Sequence, residues 1–245
     1  EFTSHMAVKA SRKALEQAGL DPSDLELIIV ATITPNTLTP ATACYVQHDL
    51  GAHKAVAFDI SAACSGFLYA MKLAERMISG GTCKNALILG AEKLSAFVNW
   101  DDRSTCVLFG DGAGAAVLKE AEPGGGQILA TDTGTDGSQT DLLNIPGGGS
   151  ACPITLENAD QRLSTLAMVG TDVFKQAVTR MRDSANSVIE RSGLRPEDIK
   201  LLIPHQANLR IIEAVTKRIE IPEDRVFVNL HKYGNTSAAA CAIAL

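Results

Sequence analysis

Apolar and polar positions along the chain follow two different periods. Short, nearly continuous apolar runs lie at Leu25–Ala31, Ala55–Ile60, Ala86–Gly90 and Ala113–Lys119, then at Gln127–Asp132, Lys200–Ile203 and Val226–Leu230. Runs of this length bounded by turn residues read as buried strands. Between them, Met6–Ala18, Thr42–Leu50, Gly66–Ile78, Thr171–Arg191 and Leu209–Ile219 carry apolar residues at helical spacing, one face each. Strands alternating with helices predict an α/β fold on mostly parallel sheet. Gly124–Gly126 reads as a turn, and the polar stretch Thr133–Gln161 as a surface loop or flap.

The pattern contains a repeat. Ala14–Val30 (ALEQAGLDPSDLELIIV) returns 174 positions later as Val188–Pro204 (VIERSGLRPEDIKLLIP). Glu16/Glu190, Gly19/Gly193, Leu20/Leu194, Pro22/Pro196, Asp24/Asp198, Leu27/Leu201 and Ile29/Ile203 are identical pairs. Each copy reads as an amphipathic helix stopped by Gly, a Pro-containing turn and a buried strand. Copies so far apart imply two related halves, 1–120 and 121–245, rather than a short-period solenoid.

Composition narrows the classes. Of 245 residues 46% are hydrophobic and 20% charged, enough for a core and too apolar for global disorder. The net charge of −6 and the 4% aromatic content argue against a general binder of nucleic acid or of anionic membranes. The six cysteines form no CxxC pair and have no His at zinc-ligand spacing; their count is low for a chain this long, so a reducing compartment and a cytoplasmic location are expected. No apolar run is long enough to span a membrane, and no basic-then-apolar leader opens the chain. Ala238–Leu245 is an apolar helix-like run without a stop signal, so the chain is expected to continue.

Candidate chemistry gathers where strands meet helices. Phe58-Asp59-Ile60-Ser61-Ala62-Ala63-Cys64-Ser65-Gly66-Phe67 passes from an apolar strand into a helix through small residues. A thiol at such a helix start is favoured as thiolate and as nucleophile, whereas a packed apolar cysteine would be inert; both readings of Cys64 are open on these residues alone. Cys44, Cys83, Cys106 and Cys241 lack this setting. His205 ends the repeated strand, at the edge where open α/β sheets bind ligands. His231-Lys232-Tyr233-Gly234-Asn235-Thr236-Ser237 follows the next strand, as the second half's counterpart of the Cys64 elbow.

Taken together, DISAACSGF (59–67), FGDGAGAA (109–116), MVGTDVFKQAV (168–178), PHQANLRII (204–212) and GNTSAA (234–239) resemble the thiolase-fold condensing enzymes, the β-ketoacyl-acyl-carrier-protein synthase III family above all. The resemblance runs along essentially the whole chain. It implies a thiolase-like fold, two halves layered αβαβα. It implies Cys64 as the acyl-accepting nucleophile, with His205 and Asn235 as its partners. It also implies decarboxylative condensation of an acyl-CoA with malonyl-acyl-carrier protein, without metal or redox cofactor, in a homodimer that binds neither nucleic acid nor membrane. Asn208 is implied near the pantetheine arm, and Thr39 at the acyl pocket, where some members carry a bulkier aromatic residue. Arg210, Lys217 and Arg218 with Lys175 are implied as the carrier-protein docking patch. Two alternatives stand beside it: a related acyltransferase of polyketide or other secondary metabolism that passes the acyl group to another acceptor, and a non-catalytic carrier-binding homologue. Against the family pattern the chain starts inside the first large helix, which makes Ser4-His5-Met6 native residues. It stops before the last two strands and a Gly-rich loop, so a longer protein is expected, and this stretch alone is not expected to condense.

Overall fold

The computed structural model describes residues 1–245. Four strands, β1 (Leu27–Ala31), β2 (Val56–Ile60), β3 (Asn85–Lys93) and β4 (Asp111–Lys119), form one sheet in the order β2-β1-β3-β4. β1 runs parallel to β2 and β3, and β3 pairs antiparallel with β4. The two-residue strands β5 (Leu143–Asn144) and β6 (Ala167–Met168) pair separately. The α-helices are α1 (Thr3–Ala18), α2 (Thr42–Leu50), α3 (Gly66–Ser79), α4 (Arg103–Cys106), α5 (Gly170–Ser192), α6 (Leu209–Ile219), α7 (Leu230–Tyr233) and α8 (Ala239–Ala244). None is long and apolar enough to cross a membrane.

β1 is buried along its whole length, and its alternate side chains build two cores. Ile28 and Val30 pack with Ala7, Leu15, Val46 and Leu50 of α1 and α2. Leu27 and Ile29 pack with Phe67, Ala70 and Ala74 of α3 and with Cys241 and Ala242 of α8. The second half's α8 therefore shares a helix layer with the first half's α3. A third core joins α5 and α6 through Val178, Ile211, Val215 and Ile219.

The repeat is visible in the backbone. α1 stops at Gly19 and α5 at Gly193, both left-handed (φ 62° and 70°), and each cap N–H turns back to the helix's last carbonyls. One turn of 3₁₀ helix follows in each, at Pro22–Asp24 and Pro196–Asp198. Thr3 and Ser4 are buried in the first turn of α1. Thr3 donates to the Thr34 carbonyl (2.6 Å), and the Ser4 N–H donates to Asn36 Oδ1 (3.0 Å), which makes this segment integral to the fold.

Three expected strands are not formed. Gln127–Asp132 is irregular, and of Lys200–Ile203 and Val226–Leu230 only the single bridge Leu202↔Val226 is present. A ladder needs paired N–H and C=O groups, and here other groups take them. Pro204 has no N–H to donate. The N–H groups of Asn229 and Leu230 are held by the side chain of Gln206, which turns the chain into α7 instead of extending the strand.

α8 and the residues before it lie directly on β3 and β4, and glycine makes the approach possible. A Cβ at Gly90 would sit 2.2 Å from the Ala238 carbonyl oxygen, and one at Gly114 2.4 Å from the Ala242 carbonyl carbon. Backbone cannot yield as a flexible side chain can. Gly90→Ala should therefore lower the urea midpoint by the equivalent of about 1–3 kcal/mol. Gly126→Ala, with open space around it, should leave the midpoint in place. Equal midpoints for the two variants would contradict this contact.

Candidate active site

After β2 the chain turns sharply. Ala63 takes φ 44°, and one 3₁₀ turn, Ala63–Ser65, runs into α3. Gly66 lets α3 begin against β1, because a Cβ there would lie 2.8 Å from the Ala31 Cβ. A second elbow stands before α8, where buried Ser237 takes φ 48°. Ala63 and Ser237 are 174 positions apart, the offset of the sequence repeat. Left-handed backbone at a non-glycine residue costs of order 1–3 kcal/mol and persists only where surroundings enforce it. Both halves keep the same strained turn.

The two elbows meet at one apolar cavity of about 280 Å³. Ile33, Leu94, Phe109, Ile145 and Leu166 line it, and Cys64 and Ser237 belong to its wall. Leu143 and Ile145 come from the expected flap, which here forms β5 and one side of the cavity.

Burial pushes the Cys64 thiol up to about 11, and the Glu92 carboxylate adds to the rise; contact with the Ser237 hydroxyl opposes it. Of the two readings of this position, a helix start that favours thiolate and a packed thiol, the second describes the resting protonation. In the resting site the loss of water outweighs that effect. Glu92, at the end of β3 and fully buried, was not singled out in the sequence. It accepts hydrogen bonds from Thr34 Oγ1 (2.7 Å), Thr32 Oγ1 (3.2 Å) and the Ile33 N–H (3.2 Å), so it ties the loop after β1 to the floor under Cys64. Burial raises its own titration, which these bonds partly offset. Its only sequence signal is a charge at the end of an apolar strand.

Asn235 is held on the first half. Its N–H donates to the Leu108 carbonyl (2.8 Å) and its carbonyl accepts from the Gly110 N–H (3.0 Å). The Ser237 N–H donates to Asn235 Oδ1 (2.9 Å), which fixes the amide and leaves Nδ2 as its free donor. His205 lies in the turn after Pro204. Both of its ring nitrogens are buried without a hydrogen-bond partner, as are Thr236 Oγ1 and Ser237 Oγ. His205 and Asn235 do not line the apolar cavity itself.

The remaining candidates lie further out. Asn208 caps α6, its Oδ1 accepting from the Arg210 N–H (2.9 Å). Arg210 and Lys217 are exposed on α6 with no carboxylate partner; Arg218 donates to the Ala214 carbonyl (2.7 Å), and Lys175 on α5 pairs with Asp172 (3.1 Å). Thr39 is exposed in the loop after β1, outside the cavity of its own chain. The described residues hold no cluster of His, Cys, Asp or Glu suited to a metal ion.

A duplicated α/β fold with a cysteine elbow beside a second elbow at one apolar cavity is the arrangement of the thiolase-fold condensing enzymes. Family models for 3-oxoacyl-[acyl-carrier-protein (ACP)] synthase III match residues 58–137, and for its C-terminal region residues 189–245. The β-ketoacyl-[acyl-carrier-protein] synthase III of Caldanaerobacter subterraneus subsp. tengcongensis is 54% identical over all of this chain and 74% of its own length. The same enzyme of Clostridioides difficile is 50% identical over the same shares. The crystal structure of 3-oxoacyl-[acyl-carrier-protein] synthase III from Aquifex aeolicus VF5 superposes with a TM-score of 0.89 at 47% identity, over 100% of this chain and 74% of that one. The chain belongs to the β-ketoacyl-acyl-carrier-protein synthase III family of condensing acyltransferases.

The buried thiol predicts slow alkylation. With iodoacetamide at about pH 8, exposed Cys44 should react well before Cys64, and the Cys64 rate should climb towards pH 11 as thiolate forms. Glu92→Gln removes a like charge and should move the Cys64 curve to lower pH, read by peptide mass spectrometry. A Cys64 rate already level at pH 8 would contradict the burial effect.

Proposed function

We propose that the protein starts fatty-acid synthesis by decarboxylative condensation of an acyl-CoA with malonyl-acyl-carrier protein, with Cys64, His205 and Asn235 as its catalytic residues. The observation that carries the assignment is the Cys64 thiol in the wall of an apolar cavity beside the second elbow, which bears Asn235. The apolar lining suits an acyl chain, and the thiol suits its carbonyl carbon.

In the first half-reaction the thiol of Cys64 loses its proton and the sulfur attacks the acyl-CoA thioester. The carbon–sulfur bond to CoA breaks, and CoA leaves with the proton. In the second, His205 and Asn235 Nδ2 donate to the malonyl thioester oxygen. The bond to the carboxylate breaks, carbon dioxide leaves, and the electron pair enters an enolate whose charge rests on that oxygen. Donors without a competing protein partner stabilise such charge strongly. The enolate carbon then attacks the acyl thioester, and the Cys64 sulfur leaves as thiolate. No electron is gained or lost overall.

The exposed face of α6, with Arg210, Lys217 and Arg218, and Lys175 on α5, form the surface for an acidic carrier protein. Asn208, at the start of α6, lies on the approach of its pantetheine arm. The loop after β1, with Thr39 and 92%-exposed Leu38, is the surface for a second copy of the chain, where Thr39 would face the partner's acyl pocket. The division at residue 120 follows the end of β4.

Incubation with a short acyl-CoA should add one acyl mass to the Cys64 peptide, and Cys64→Ala should remove it. His205→Ala and Asn235→Ala should keep the adduct yet lose carbon dioxide release from malonyl-acyl-carrier protein by about 10²-fold or more. An adduct on another cysteine, or undiminished release in both variants, refutes the assignment. Arg210→Ala should raise the KM for malonyl-acyl-carrier protein and spare acylation; an equal loss in both half-reactions would remove α6 as the docking face.

A further inference from the structure

The side-chain amide of Gln206 is 1% exposed, and all of its hydrogen-bonding capacity is used by backbone. Nε2 donates to the carbonyls of Pro204 (2.8 Å) and Phe227 (3.2 Å). Oε1 accepts from the N–H groups of Asn229 (2.8 Å) and Leu230 (3.2 Å). These four groups belong to the two segments that separate after the Leu202↔Val226 bridge. One segment turns at once through His205. The other starts α7, whose single turn leads through Gly234 to Asn235. The Gly234 N–H returns to the Leu230 carbonyl (2.7 Å) and Asn235 is bonded to Leu108, so little slack remains between the amide and Asn235.

We infer that Gln206 is a positioning residue: its amide replaces the missing ladder hydrogen bonds and fixes the His205 turn against the segment that carries Asn235. It touches neither substrate nor thiol. Its work belongs to the second half-reaction, where two donors must converge on one oxygen, and not to the first, where Cys64 acts from the other elbow. The inference rests on the catalytic assignment of His205 and Asn235 above.

The chemistry of the amide makes this testable. Gln206→Leu keeps the volume but leaves two carbonyls and two N–H groups unpaired. Gln206→Glu keeps an oxygen for Asn229 and Leu230, but as a carboxylate it turns a second oxygen towards the carbonyls of Pro204 and Phe227. Protonated, it regains one donor. Burial between carbonyl oxygens favours that protonated form, so its titration should fall at moderately acid pH.

Acylation of Cys64 by acyl-CoA and carbon dioxide release from malonyl-acyl-carrier protein are measured on the full-length protein, wild type and both variants, between about pH 5.5 and 8. Gln206→Leu should acylate within about threefold of wild type and release carbon dioxide about 10²-fold more slowly, the scale of a small misplacement of reacting groups. Gln206→Glu should match it at pH 8 and recover relative to wild type as the pH falls. Should Gln206→Leu fail to fold, the pH profile of Gln206→Glu decides alone. Equal loss of both half-reactions, loss of neither, or a Gln206→Glu profile parallel to wild type overturns the inference. If wild-type protein neither acylates Cys64 nor releases carbon dioxide, the proposed function fails instead, and the two failures are distinct.

Discussion

The close seating of the 234–245 segment on the glycine surface of β3 and β4 is the contact on which the site depends. A side chain at Gly90, Gly112 or Gly114 would meet this segment at 2.2–2.8 Å, and one at Gly110 would meet the Tyr233 carbonyl just before it at 2.1 Å. Without those glycines, α8 could not share a layer with α3, and the second elbow would stand away from the first. The glycines of the FGDGAGAA motif are thus read most simply as absences of side chain. Asp111 in the same motif holds Ser95 through its N–H (2.8 Å) and hydroxyl (2.6 Å), which fixes the turn after β3. The motif is the floor on which the 234–245 segment is seated.

Polar atoms are satisfied almost everywhere except around that seat. The unpartnered buried side-chain atoms comprise one oxygen of Glu75, both nitrogens of His205, Thr236 Oγ1 and Ser237 Oγ. An unmade buried hydrogen bond costs about 1–3 kcal/mol, so the three such atoms on His205 and Thr236 weigh against stability. Two non-glycine residues in left-handed backbone, Ala63 and Ser237, lie in the same region. The folded cores around β1 offset both. A donor without a protein partner can bond an incoming oxygen with no existing hydrogen bond to break first.

Much of this was legible in the sequence. The helix, glycine stop and Pro turn of each copy depend on local chemistry, so Gly19 and Gly193 announce themselves. The elbow at Cys64 is legible for the same reason, since small residues between strand and helix allow few paths. The runs at 127–132, 200–203 and 226–230 do not become strands, and Ile128, Leu129, Leu201 and Phe227 stay exposed, so an apolar run alone specifies neither pairing nor burial. Whether a ladder forms depends on distant backbone, and here a glutamine side chain intercepts it. Glu92 and Gln206 were invisible for a related reason: each matters through groups 21 to 60 positions away, contacts no local pattern encodes. Thr39 was placed at an acyl pocket by resemblance, and within one chain it faces solvent.

The duplication explains why the labour can be divided. The same strained turn occurs twice, at Ala63 and Ser237, but what stands beside it differs. In the first half the turn presents a thiol at the start of the fourteen-residue α3. In the second the residues around the turn present the amide of Asn235. A thiol kept protonated by burial is stable while the site is empty, and the adjacent donors, which lie on other elements, need not be designed around its charge. Condensation needs both an electrophilic thioester and a stabilised enolate within reach of each other. Two copies of one elbow, meeting at one cavity wall, place these opposite demands on separate frames, so each frame can hold its own groups rigidly.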